Sequence, residues 1–236
     1  MKTKAILIGS SGRVGQALAQ QLAVLYETVI LITRTQPRAI SANMQVYHVA
    51  DFRSLATTIE AMAIGADTDA FSCLGVSHTQ VASSDEFYQV NVLYNLEFAK
   101  ACKKKGVTQF YFLSKDGTDA PNQNDELIAK ADVEYYLRTL SFDTLAIFRL
   151  SGLTQAKQAF ALKNAAKMGV NALKNSLSLL NFKKKRPLSP EQVAQCMALS
   201  AYEHNHQPSL RTPNQATIIT HEQMLKSATK SAKAPK

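Results

Sequence analysis

The sequence is poor in cysteine, with three residues in 236 (Cys73, Cys102 and Cys196). Three thiols cannot build a disulfide framework, and none stands at zinc-like spacing from another Cys or a His. A reducing, intracellular compartment is expected. Glycine and proline are also few, at nine and seven. With 46% hydrophobic and 19% charged residues, that scarcity excludes a collagenous, low-complexity or mainly disordered chain. No apolar run reaches the roughly 18 residues that a membrane span needs. The opening Met1-Lys2-Thr3-Lys4 leads into a short apolar run broken by Gly9, which lacks the form of a signal peptide and points to the cytoplasm. The length allows one large domain or two small ones.

Acidic residues are missing from two particular stretches. Lys and Arg number 27 against 18 Asp and Glu, a net charge of +9. Lys183, Lys184, Lys185 and Arg186 form one acid-free run. Lys226, Lys230, Lys233 and Lys236 form another, in a segment read as a basic flexible tail over 226–236. These two segments carry nearly all of the excess, so no broad basic face exists to track nucleic acid. Solvated segments are the simple reading, and an acidic partner or anionic surface is the sharper one.

What is present is an alternation. Apolar or β-branched runs at Ala5–Ile8, Thr28–Thr33, Gln45–Val49, Asp69–Leu74, Gln109–Leu113 and Thr144–Phe148 read as strands. Between them, helical spacing marks Arg13–Leu25, Phe52–Ala63, Asp85–Lys105 and Asn124–Leu140. The crossover from Thr33 to Gln45 contains Pro37 and is too short and polar for a full helix. Such alternation predicts an α/β fold, a doubly wound parallel sheet of Rossmann type in a single domain. That domain is expected over 1–225, with 156–225 as its helical, substrate-side segment. Within that segment an amphipathic stripe runs from Leu162 to Leu180. A capped helix starts at Ser189-Pro190-Glu191-Gln192, another at Thr220 with Gln223, and Ala216–Ile219 reads as a last short strand.

The strongest chemical signal is Gly9-Ser10-Ser11-Gly12-Arg13-Val14-Gly15, between the first strand and first helix. Gly9 permits a sharp turn, Gly12 lets the backbone approach a pyrophosphate, and Gly15 lets helix and strand pack closely. Ser11, Arg13 and Val14 complete the phosphate-binding turn, whose free amides meet negative charge. At the end of the second strand an NAD-selective site places an acid, but this chain has Thr33-Arg34-Thr35. Arg34, with Arg13 or Arg38 beside it, suits a 2′-phosphate, so NADP(H) is favoured over NAD(H). Asp51 and Phe52 would flank the adenine, with a helix-capping role for Asp51 as the equal alternative.

The chain resembles an atypical short-chain dehydrogenase/reductase, of the group holding NmrA-like regulators and Tat-interacting-protein-like oxidoreductases. The resemblance rests on Gly9 to Gly15, Leu31 to Arg34, Val49 to Phe52, Cys73-Leu74-Gly75, Asn91, Phe110 to Ser114, Lys130 to Glu134 and Phe148-Arg149. It implies that Leu74 and Gly75 border the cofactor, that Ser114 orients a substrate carbonyl, and that Lys130 holds the nicotinamide ribose. It also implies a tyrosine four residues before that lysine, where this chain has Glu126. Lys115 likewise replaces a small residue, and Tyr135 and Tyr136 fall out of register. Ser114 and Lys130 are therefore the expected catalytic residues, with the proton donor open between water and a protonated Glu126. The implied function is NADP(H)-dependent hydride transfer to or from a small carbonyl or quinone-like substrate. A cofactor-binding regulator without turnover is the alternative, and a homodimer or protein partner is allowed by either. His78 is the one histidine near the expected substrate space. His48 reads as structural, and His204, His206 and His221 lack ligand spacing, so no metal is expected.

Overall fold

A computed structural model describes residues 2–121, 124–154, 186–213 and 215–231. Seven parallel strands form one sheet in the order β3-β2-β1-β4-β5-β6-β7. They are β1 (Lys4–Ile8), β2 (Thr28–Thr33), β3 (Met44–His48), β4 (Thr68–Ser72), β5 (Gln109–Lys115), β6 (Thr144–Leu150) and β7 (Ala216–Thr220). Every residue of β4 is buried, as expected of a central strand covered on both faces. The order reverses between β1 and β4, where Ile8 pairs with Ile32 on one side and Ser72 on the other. A crevice opens at that point, beyond the carboxyl ends of the strands.

The helices divide between the two faces. Helices α2 (Leu55–Glu60), α4 (Tyr94–Lys104) and α5 (Asp125–Thr139) cover one face through residues such as Leu55, Phe98 and Val133. Helices α1 (Arg13–Leu25), α6 (Pro190–His206) and α7 (His221–Ser231) cover the other through Leu18, Met197 and Met224. The C-terminal segment thus adds β7, α6 and α7 to the same sheet. The amphipathic stripe from Leu162 to Leu180 lies outside the described residues. Six residues of the segment read as a tail, Lys226 to Ser231, are helical in α7, and Lys226 pairs with Glu222 one turn earlier. Both expected capping boxes form. Ser189 exchanges hydrogen bonds with Gln192, and Thr220 does so with Gln223. Among the described residues no helix is long and apolar enough to cross a membrane.

One expected helix differs. The segment read as continuous from Asp85 to Lys105 is a short α3 (Ser84–Tyr88), a π-helical turn over Gln89–Leu93, and α4. The reason is a pair of buried asparagines. Asn91 Nδ2 donates to Val76 O and Phe87 O, and its Oδ1 accepts from Val76 N. Asn95 Nδ2 donates to Asn91 O and Val90 O, partnering carbonyls around the widened turn. The loop after β4 is thereby tied to this helix.

At the opposite end of the sheet, Asp69 of β4 is fully buried. It accepts from Tyr26 Oη at 2.7 Å and Asn205 Nδ2 at 2.7 Å, with Lys2 Nζ 3.7 Å away. Burial pushes its pKa up, more than these partners pull it down. A carboxyl whose folded pKa exceeds its unfolded value stabilises fully at low pH and loses that contribution as pH rises through the folded pKa. Asp69→Asn, which keeps an acceptor for Tyr26 and Asn205, is therefore expected to gain stability over the parent as pH rises above the ordinary carboxyl range of about 4. Urea melts at rising pH test this; a constant difference would contradict it.

Candidate functional site

The first βα turn is built by steric necessity. Gly9 has φ of 84°, and a Cβ there would lie 2.5 Å from the Cys73 carbonyl carbon. A Cβ on Gly15 would lie 2.1 Å from Gly9 O. β1, the β4 loop and α1 can approach this closely only because both side chains are absent. Helix α1 begins at Gly12 with no side-chain cap and no acid in its first turn. Ser10 Oγ is buried there without a hydrogen-bond partner. A 13-residue helix presenting uncapped amides beside a glycine cradle fits a pyrophosphate.

Two clefts meet at this turn. One, of about 240 Å³, is lined by Ser11, Gly12, Thr33, Arg34, Thr35 and Phe52. The Arg34 guanidinium lies 5.8 Å from the Phe52 ring centroid, and no carboxylate among the described residues pairs with it. Asp51 is turned elsewhere. It accepts from Arg53 N at 2.9 Å and pairs with the Arg53 guanidinium, which holds its carboxyl below the usual range. The capping alternative is the one realised, and Asp51 lines neither cleft. Arg38 is also apart from Arg34, in a separate cavity shared with Arg13 between α1 and the β2–β3 loop.

The second cleft, of about 450 Å³, brings Arg13, Val14, Ser114, Lys115, Glu126 and Lys130 together. Leu74 and Gly75 border both clefts. Lys130 Nζ donates to Leu74 O at 3.0 Å and lies 4.8 Å from the Phe112 ring centroid. Burial lowers its pKa to about 8. Cys73, half-buried where it borders both clefts, has its thiol pushed up to about 12 by desolvation and forms an inert apolar wall.

The hydroxyl of Ser114 faces an unforeseen partner. It donates to Glu134 Oε1 at 2.6 Å, and both residues are buried. Glu134 also accepts from Thr118 Oγ1 at 2.9 Å and from Arg149 Nη2 at 2.8 Å. Glu134 is four residues after Lys130 and so shares its helix face, a signal the sequence contained. Lys115 and Glu126, two departures from the family pattern, form an ion pair with each other. His78 stands aside, stacked on Phe87 with centroids 3.9 Å apart and Nε2 3.2 Å from Asp125. Tyr135 and Tyr136 are exposed on α5. Among the described residues no cluster suits a metal ion.

Residues 5–136, more than half of the chain, match the family described as the NAD dependent epimerase/dehydratase family. The chain belongs to that family. Membership implies NAD(P) binding, in agreement with the cradle. Protein HTATIP2 of Rattus norvegicus is 32% identical over 157 residues, 63% of this chain and 62% of that protein. Protein fmp52-2, mitochondrial, of Aspergillus terreus is 29% identical over 118 residues, 49% of this chain and 51% of that one. The chain thus matches between half and two thirds of these relatives' length. In fold it is similar to Thermoplasma acidophilum aldohexose dehydrogenase, with a TM-score of 0.66 at 13% identity, covering 100% of this chain and 96% of that one. Thermotoga maritima UDP-glucose 4-epimerase gives 0.62 at 15%, covering 96% and 82%. The doubly wound dinucleotide-binding architecture expected from the sequence is the one found.

Proposed function

We propose that this protein is an NADP(H)-dependent oxidoreductase acting on a small carbonyl or quinone-like substrate. The observation that carries the reading is the convergence of the glycine cradle, Ser114 and Lys130 on adjoining clefts at the β1/β4 crevice. Gly9, Ser11, Gly12, Arg13 and Val14 would hold the pyrophosphate region on backbone amides. Arg34 would take the 2′-phosphate, with Phe52 as the wall behind it. Leu74 and Gly75 would border the dinucleotide, and Lys130 would hold the ribose next to the nicotinamide. Bound NADPH supplies a hydride to the acceptor. Ser114 lines the same cleft; with its proton on Glu134 it would accept from the hydroxyl of an alcohol, and it would orient a carbonyl only by turning that proton away from Glu134.

Arg34→Ala is expected to weaken NADPH by about 30-fold, since a charge-assisted hydrogen-bonding group is worth roughly 1.5–3 kcal/mol. NADH affinity should change little. Nucleotide fluorescence titrations decide this, and equal losses for both would remove Arg34 from the proposed role. Turnover is tested by NADPH oxidation with 4-nitrobenzaldehyde and 9,10-phenanthrenequinone. One observation favours a second reading, binding without turnover: Glu126 stands where the family has its tyrosine and is ion-paired. Tight NADPH binding with no oxidation by either acceptor would select that reading.

A further inference from the structure

The proposed chemistry needs a proton donor, and most groups lining the larger cleft are excluded by what they already do. Ser114 has one proton and gives it to Glu134 at 2.6 Å. Glu126 is a carboxylate in an ion pair. The Asn91 amide is committed to Val76 and Phe87. Cys73 is half-buried and its thiol is pushed up to about 12, too weak an acid for the task. Arg13 is a guanidinium, whose proton is too tightly held to transfer. Lys130 is buried against Leu74 O at 3.0 Å, poorly placed to recover a proton from water.

The remaining ionisable group is Lys115. It is the last residue of β5, next to Ser114, where the strand ends and the crevice opens. Its side chain is 34% exposed, in contact with both cleft and solvent. Glu126, in the first turn of α5, pairs with its ammonium at the wall of the cleft that Lys130 also lines. An alkylammonium and a phenol are acids of similar ordinary strength, so an ammonium here can perform the proton transfer that the absent tyrosine leaves undone.

We propose that Lys115 is the proton donor of this site and Glu126 its positioning residue. The inference rests on the oxidoreductase reading. As the carbonyl carbon receives hydride from the reduced nicotinamide, the carbonyl π pair moves to oxygen. That oxygen takes a proton from Lys115 Nζ, one N–H bond breaking and one O–H bond forming. A neutral amine remains beside the Glu126 carboxylate and is reprotonated from solvent.

The test uses the full chain with NADPH and the same two acceptors. Lys115→Ala is expected to lower kcat about 100-fold, the scale of general acid catalysis, with NADPH affinity unchanged by fluorescence. Added ethylamine is expected to restore turnover in proportion to its protonated concentration. Lys115→Arg keeps charge and ion pair but not a transferable proton, and is expected to bind NADPH normally and remain as slow as Lys115→Ala. A parent protein that binds NADPH and reduces neither acceptor would overturn the oxidoreductase reading itself. A parent that turns over, with Lys115→Arg equally fast or Lys115→Ala deaf to ethylamine, would overturn only the role of Lys115.

Discussion

Gly15→Ala is expected to abolish dinucleotide binding, raising Kd at least about 100-fold, or roughly 2.7 kcal/mol. Helix propensity argues the other way, since alanine in a helix is better than glycine by roughly 1 kcal/mol. Sterics win here. The new Cβ would lie 2.1 Å from Gly9 O and 2.8 Å from Gly9 C, and both are backbone atoms that cannot rotate aside. Either α1 withdraws from β1 or the turn distorts, and in both cases the amides leave the position set by Gly9 and Gly12. Circular dichroism is expected to show retained helix and strand, with a lower melting temperature. Calorimetry with NADPH and NADH reads the binding. Parent-like affinity for either nucleotide would mean that the dinucleotide does not rest on this turn, and the functional reading would fall with it.

Lys130→Met is expected to separate stability from activity. Burial lowers the pKa of Lys130 from 10.5 to about 8. A lysine whose folded pKa is depressed opposes folding while it is charged. The penalty is full below pH 8 and is relieved as pH rises from there towards the unfolded value. A pKa difference of this size corresponds to about 3 kcal/mol. Methionine fills similar volume without charge but leaves Leu74 O without its donor, which returns roughly 1 kcal/mol. The net expectation at pH 7 is a gain of about 2 kcal/mol, shrinking above pH 8. Turnover should fall about 100-fold, because the proposed hold on the nicotinamide ribose is gone and the hydride donor is no longer positioned. Chemical denaturation at pH 7 and pH 9.5, beside NADPH oxidation, checks both halves. A destabilised variant at pH 7 would show that the hydrogen bond to Leu74 outweighs the desolvation, and an active one would remove Lys130 from the site.

Local patterns carried much of the fold. The six strand runs, the cap at Ser189 and the glycine spacing each depend on residues within a few positions, and each appears where the pattern put it. The long α3–α4 segment is instructive. Its apolar spacing is helical throughout, yet one turn widens where Asn91 bonds Val76 in the loop after β4 and Asn95 bonds the carbonyls of Val90 and Asn91. Periodicity cannot report a hydrogen bond to a residue 15 positions away. Asp51 shows the same limit at short range. Capping and adenine contact were equal on the sequence, and the structure shows the cap, formed with Arg53 two residues on.

By itself the sequence determined the parallel sheet, the glycine-rich turn after β1 and the basic, acid-free end of β2. Those features follow from side-chain size, alternation and charge along a contiguous stretch. Only the tertiary structure decided which polar groups in the cleft pair with each other. Ser114 meets Glu134 20 residues on, and Lys115 meets Glu126 11 residues on. These pairings link the end of β5 to two different turns of α5. They depend on how a strand and a helix dock to within a hydrogen-bond length, which composition and spacing do not encode.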